Sequence, residues 1–455
     1  MNTEDVAEFI CKTEFADIPD GAVDAAKILL LDFCGVTIAG SREPSSRILS
    51  EYVKSIGARH EAGVLGQGFR TEASLAALIN GTSAHVLDYD DYSMETWTHP
   101  TATVLPGILA LGETRRAPGK AVLEAYIIGV EVASKIGAAV GSPQYEGGWH
   151  CTGTIGTICA AVGAAKLLRL DRSKVKASLG IAASLAGGLR QNFGTMTKAL
   201  HAGRAAQNGA FAATLAERGF SASDNVLEGQ FGFGKVFGRR KNIDLDGTNL
   251  QNGVPGFLIS PGVRVKPYPS CGATHCGIEA ALSLRGQYNI QPADVVGIEL
   301  STHPMVPEVA FSHEPETAEQ AKVSAEYCVS RALIDGQVSL DHFTTEAVME
   351  SEVQQLLRKV RYVTTSNREE KYSVATGVTI KMGDGKVYSK RIEIPKGAPE
   401  NPLTQEELHS KFRDCTSLML STKDAEKILD LVLNLDRLAD ISDLMQLLTL
   451  SKQEP

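Results

Sequence analysis

Apolar residues recur three and four positions apart through most of the first 250 residues, the spacing that lines one face of an α-helix. The pattern predicts helices over 23–40, 45–57, 72–86, 101–113, 122–140, 151–168 and 202–217. Several are rich in Ala, Gly and Ser, most of all 153–165, and small side chains let neighbouring helix axes approach closely. A compact bundle with buried central helices is expected. After Val265 the pattern changes. Strand-like runs fall at 295–302 and 378–381, and 386–394 follows the Gly383-Asp384-Gly385 turn as the second arm of a hairpin. Helical runs lie around them at 276–284, 318–334 and 344–360, and helical spacing returns at 407–412 and 425–435. The expected fold is mainly α: a large all-helical domain of residues 1–265 plus 403–455, with a smaller α+β domain of 266–402 inserted as a lid.

A formal net charge of -9 argues against nucleic acid or an anionic membrane as a partner, while leaving a local site free to take an anionic small molecule. No apolar run approaches the roughly 20 residues that span a bilayer. The opening Met1-Asn2-Thr3-Glu4-Asp5 lacks the basic and apolar stretches of a signal peptide. The eight cysteines are scattered, as reduced thiols are. These features predict a cytoplasmic protein. Cys271, His275 and Cys276 lack further ligands at zinc spacing, and Asp88, Asp90 and Asp91 read as loop caps or histidine orienters rather than a magnesium site. No metal and no cofactor is expected.

Candidate chemistry gathers at three predicted helix starts. Lys198, His201 and Arg204 stand at the mouth of the run beginning near Ala202; Thr98-His99-Pro100 opens a second; Trp149-His150-Cys151 opens a third. Proline suits the first helical turn, so Pro100 marks a start and leaves His99 at its end. The three are either unrelated caps or, if they converge, one anion pocket built from free N–H groups and Lys198. His85 reads as an ordinary packed histidine, and Gly232-Phe233-Gly234 as a loop between helices.

Several segments in order carry a resemblance: Asn80-Gly81-Thr82-Ser83-Ala84-His85-Val86-Leu87-Asp88-Tyr89-Asp90-Asp91, Thr98-His99-Pro100, Gly147-Gly148-Trp149-His150-Cys151-Thr152-Gly153, Thr197-Lys198, Lys266-Pro267-Tyr268-Pro269-Ser270-Cys271, Ala321-Lys322-Val323-Ser324-Ala325-Glu326-Tyr327 and Asn401-Pro402-Leu403-Thr404. Through them the chain resembles the MmgE/PrpD family, which includes 2-methylcitrate dehydratases, cis-aconitate decarboxylases and an iminodisuccinate epimerase. The resemblance implies a helical larger domain, an α+β lid, a homodimer and a cofactor-free site. It also implies that Asp88, His99, His150, Lys198, Lys266 and Tyr327 face that site. Where dehydratase and decarboxylase relatives usually carry a threonine after the paired aspartates, this chain has Tyr92, a bulkier ring that would reshape the pocket.

Such enzymes make or break a bond at carbon next to a carboxylate, which requires stabilised negative charge on oxygen. The expected function is an epimerase of iminodisuccinate, an aspartate-derived aminopolycarboxylate. In that scheme Lys198 and Tyr145 exchange a proton on opposite faces, and His99 is the third catalytic residue. A lysine acts as a base near neutral pH only when burial or nearby positive charge favours its neutral form, and His201 and Arg204 are suitable neighbours. Asp88, His150, His201, Arg204, Lys266 and Tyr327 are the expected substrate-binding residues. The alternatives are a 2-methylcitrate dehydratase or cis-aconitate decarboxylase type lyase, and a catalytically silent carboxylate-binding protein.

Overall fold

The computed structural model describes residues 2–238, 255–364 and 373–450. The chain divides into two compact units. One comprises Met1–Val86, Asp90–Arg264 and Thr404–Pro455, and the other Leu87–Tyr89 and Val265–Leu403.

The first unit holds α1 (Thr3–Lys12), α2 (Asp20–Gly40), α3 (Pro44–Ile56), a small antiparallel hairpin of β1 (Ala62–Val64) and β2 (Phe69–Thr71), then α4 (Ala73–His85), α5 (Pro100–Arg115), α6 (Gly119–Glu146), α7 (Cys151–Leu167), α8 (Arg172–Leu185), α9 (Met196–Glu217) and α10 (Phe233–Gly238). The hairpin corrects the expectation of a purely helical domain: three-residue strands are too short to show an alternating pattern. Helix α4 is buried from Ala76 to His85, and α7 from Cys151 to Ala165. Both are apolar or small on every side, as central helices must be. They pack with α5 and α9 into the core of the bundle. The first helical region as predicted runs on to about residue 250, and 239–250 lie outside the described residues.

The α4–α9 crossing depends on one glycine. A Cβ at Gly203 would stand 2.1 Å from Thr82 Oγ1 and 2.2 Å from the Leu78 carbonyl oxygen, closer than any real contact. Gly203→Ala is therefore expected to lose about 1–3 kcal/mol of stability. Gly286→Ala, in a helix position where a Cβ meets nothing within 4 Å, is expected to be neutral or slightly stabilising. Urea unfolding of both variants checks the contrast.

The second unit holds α11 (His275–Tyr288), β3 (Val295–Thr302), α12 (Met305–Val309), α13 (Ala318–Ala321), α14 (Ala325–Asp335), α15 (Thr345–Val348), α16 (Ser351–Leu357), β4 (Val360–Thr364), β5 (Thr376–Met382) and β6 (Val387–Ile392). Its sheet has the order β4-β3-β5-β6, with β3 parallel to β4 and the other pairs antiparallel. Alternation in β3 puts Ile298, Leu300 and Thr302 inward, where the sheet joins α11, α14 and α16 around one apolar core. Two predicted helices differ. The run 318–334 breaks at Lys322–Ser324 because the Ser324 hydroxyl caps a new helix by accepting from the Tyr327 N–H. The run 344–360 becomes α15, α16 and the start of β4. The chain then returns to the first unit as α17 (Gln405–Thr416), α18 (Thr422–Leu433) and α19 (Ser442–Thr449).

Candidate active site

Three helix starts of the first unit converge. Pro100 occupies the first turn of α5 with His99 as its N-cap, and the His99 N–H donates to Thr152 Oγ1 at the start of α7, at 3.3 Å. His150 is the N-cap of α7, and its N–H donates to the Gly188 carbonyl at 3.0 Å, which ties the segment before α9 to this point. Helix α9 begins at Met196, capped by Thr195, six residues earlier than apolar spacing predicts. Lys198 therefore lies in its first turn and His201 in its second. The last residue of α4 is His85.

The result is a file of four imidazoles. Ring centroids of His99 and His85 are 4.3 Å apart, His85 and His150 5.8 Å, and His150 and His201 5.3 Å. Asp90 anchors one end: its Oδ2 lies 2.9 Å from His85 Nδ1 and 3.1 Å from His99 Nδ1. His150 and His201 meet Nδ1 to Nδ1 at 3.0 Å. The ligand atoms of His85, Asp90 and His99 lie within 4.8 Å of one another, near enough for a cation. The contact to His85 is the hydrogen bond of an aspartate orienting a ring, whereas His99 Nδ1 stands at ion-pair distance from the same oxygen and has no hydrogen-bond partner among the described residues.

Burial sets the charge states. It pushes His85 and His201 down to about 4 and His150 well below its usual range, with neighbouring imidazoles and Lys198 adding to the effect and Asp90 opposing it at His85. Burial also works against the Asp90 carboxylate, but the imidazoles of His85 and His99 outweigh it and hold Asp90 below the usual range. Next door, burial, with the Asp90 and Asp32 carboxylates adding to it, pushes Asp91 well up. Asp91 accepts from the Thr101 hydroxyl, which also meets Tyr126. Two adjacent aspartates are thus driven in opposite directions, one held toward its charged form beside the histidines and one pushed away from it behind them.

A stability consequence follows for His201. Between the usual 6.5 and about 4 the unfolded chain binds a proton there that the folded chain does not, so this contribution to stability falls as pH falls. A His201→Gln variant lacks that loss. The stability gap between wild type and variant should narrow from pH about 7.5 to about 5, by up to about 1.4 kcal/mol per unit below 6.5. Denaturant midpoints at the two pH values check it.

The other expected site residues divide. The Lys198 ammonium lies 5.7 Å from the centre of the Phe193 ring, and its charge acts on His85, His150 and His201. Tyr92 approaches His99 at 6.3 Å between centroids. Tyr145 is not in a loop: Pro143 does not stop α6, and the tyrosine sits in its last turn. Its ring lies 3.7 Å under the Arg190 guanidinium and 5.1 Å from Trp97, groups that do not belong to the histidine file. Arg204 is exposed and donates to Gln207 Oε1 at 2.5 Å. In the second unit, Lys266 is fully buried and donates to the Asp88 carbonyl oxygen at 2.8 Å and to its carboxylate at 2.5 Å. Tyr327, also fully buried, donates to the His342 carbonyl oxygen and accepts from Arg331 Nε at 3.1 Å. Sequence reasoning missed His85, read as packing. The available signal was Asp90, five residues on, a carboxylate placed to orient a ring.

Residues 4–246 match the MmgE/PrpD N-terminal domain and residues 268–437 the MmgE/PrpD C-terminal domain, so the chain belongs to the MmgE/PrpD family. Within that family it is 30% identical over 483 residues to a cis-aconitate decarboxylase of Aspergillus terreus, which takes in 100% of this chain and 97% of that protein. The cis-aconitate decarboxylases of Mus musculus and Homo sapiens are each 29% identical to it, over 98% of this chain and 93% and 94% of their own lengths. These relatives overturn the expected iminodisuccinate epimerase and the isomerase class with it: they are named as decarboxylases, the alternative stated above. Among the described residues no helix is long and apolar enough to cross a membrane.

Proposed function

We propose that this chain is a carboxy-lyase that removes carbon dioxide from cis-aconitate or a close unsaturated tricarboxylate. The likeness to cis-aconitate decarboxylases along the whole chain carries the reading, and the converging helix starts support it. The positive dipole ends of α5, α7 and α9, together with Lys198, suit the carboxylates that are kept. Loss of the carboxylate on the saturated carbon leaves an electron pair spread over three carbons and onto a remaining carboxylate, where those same positive groups stabilise it.

The departing carbon dioxide must be replaced by a proton. His99 is the donor best placed for this: Asp90 holds its Nδ1 at 3.1 Å, and the side chain is 16% exposed rather than sealed. Asp90 stabilises the charged ring before transfer and fixes its orientation afterwards.

Incubation of the purified protein with cis-aconitate is expected to release carbon dioxide and form methylenesuccinate. If cis-aconitate stays untouched while 2-methylcitrate loses water, the chain is a dehydratase and the reading is wrong.

A further inference from the structure

The proposed reaction uses the His99–Asp90 end of the file and leaves the other end without a task. There His150 and His201 are both buried, at 4% and 9% exposure, with their Nδ1 atoms 3.0 Å apart. Two neutral rings at that distance must be opposite tautomers: one carries its hydrogen on Nδ1 and donates, and the other carries it on Nε2 and accepts. The contact has room for one hydrogen only. One added proton converts it to a charge-assisted N–H⁺···N bond. A second would set two N–H groups against each other. The geometry is that of a holder for a single proton.

The charges facing this pair come from three directions. His85 at the end of α4 stacks on His150, His99 at the start of α5 acts on it through space, and Lys198 lies one turn before His201 on α9. Phe193 closes another side, its ring edge-on to His150 at 4.8 Å. Burial disfavours the charged form of both rings, and the neighbouring imidazoles and Lys198 add to it. A tricarboxylate seated against Lys198 and the helix starts reverses the sign of that field. The reaction also needs one proton per turnover: the carbon–carbon bond to the departing carboxylate breaks, its electron pair stays on carbon, and a carbon–hydrogen bond forms, so that trianion plus proton gives dianion plus carbon dioxide.

We propose that the His150–His201 pair takes up one proton as the tricarboxylate binds and holds it for the reaction, so that the proton spent in turnover enters with the substrate. His201 is then a positioning residue that acts through His150. His85 lies between the pair and the donor, its ring neighbouring both His150 and His99. The inference rests on the tricarboxylate reading above.

The test is calorimetric titration with tricarballylate, a saturated tricarboxylate with no double bond to stabilise a carbanion, in buffers of different ionisation enthalpy near neutral pH. Wild type should take up about one proton per site on binding. His201→Gln should still bind but take up less than half as much, and with cis-aconitate the alkaline limb of its kcat profile should move to lower pH while KM changes little. Binding by wild type without proton uptake overturns the proposal and leaves the carboxylate-site reading standing, and needs no variant to fold. Uptake unchanged in both His201→Gln and His201→Asn overturns it as well. Failure of tricarballylate to bind at all overturns the tricarboxylate reading and this inference together.

Discussion

Lys198→Ala is expected to lower kcat/KM for cis-aconitate by about 10²- to 10³-fold, the usual cost of removing one fixed positive group from the place where negative charge develops. The lysine stands in the first turn of α9, so its charge adds to the positive end of that helix's dipole. Its charge acts on His85, His150 and His201 together. Lys198→Arg should recover part of the binding but less of the rate, because a planar guanidinium does not reproduce a compact ammonium. Since Lys198 is half-buried at a helix end, stability should change little in either variant. A fall in activity that tracks a fall in thermal midpoint would instead mark the residue as structural.

Asp90→Asn is expected to lower kcat by about 10²-fold or more. One carboxylate oxygen holds both His85 and His99, and the amide keeps the shape of the side chain while removing its negative charge. The ring that donates to carbon loses the negative charge beside it, so the proton transfer slows. Asp91→Asn, by contrast, replaces a group whose charged form burial disfavours and which accepts from the Thr101 hydroxyl. It should cost far less activity, although the two residues are adjacent. Steady-state profiles of the two variants over a range of pH separate an electrostatic role from a packing one.

Much of the bundle was legible because its helices announce themselves. Pro100 marked the start of α5, and the Ala- and Gly-rich run of α7 could only be a buried helix. The convergence of three helix starts could be posed from sequence but not decided, because it depends on α4 and α7 both packing on α5 and α9. Lys198 was identified while the start of its helix was misplaced: Met196 and Thr197 carry no apolar periodicity, and the Thr195 cap decides the boundary. Tyr145 followed the reverse course. Its place in α6 is not written in apolar spacing, because tertiary contacts carry the helix through Pro143: Gln144 is buried and accepts from Thr154, and Gly141 lies against Trp97. Strand β4 escaped notice because its pairing partner β3 lies some 60 residues earlier and the alternation in its five residues is weak.

His85 illustrates the deeper limit. A histidine at the end of an apolar helix looks like packing until the turn after it brings Asp90 under its ring. The choice between isomerase and lyase was equally out of reach of spacing. Both chemistries need an anion pocket and a stabilised charge beside a carboxylate, and they differ in what leaves the carbon rather than in which residues surround it.

The most direct measurement of the account is turnover of cis-aconitate in deuterium oxide, followed by carbon-13 and proton NMR. Stoichiometric release of carbon dioxide is expected, with methylenesuccinate bearing one deuterium on its saturated methylene carbon, the position that receives the replacing proton. Cis-aconitate that gains deuterium without losing carbon dioxide, or that remains unchanged, would contradict it.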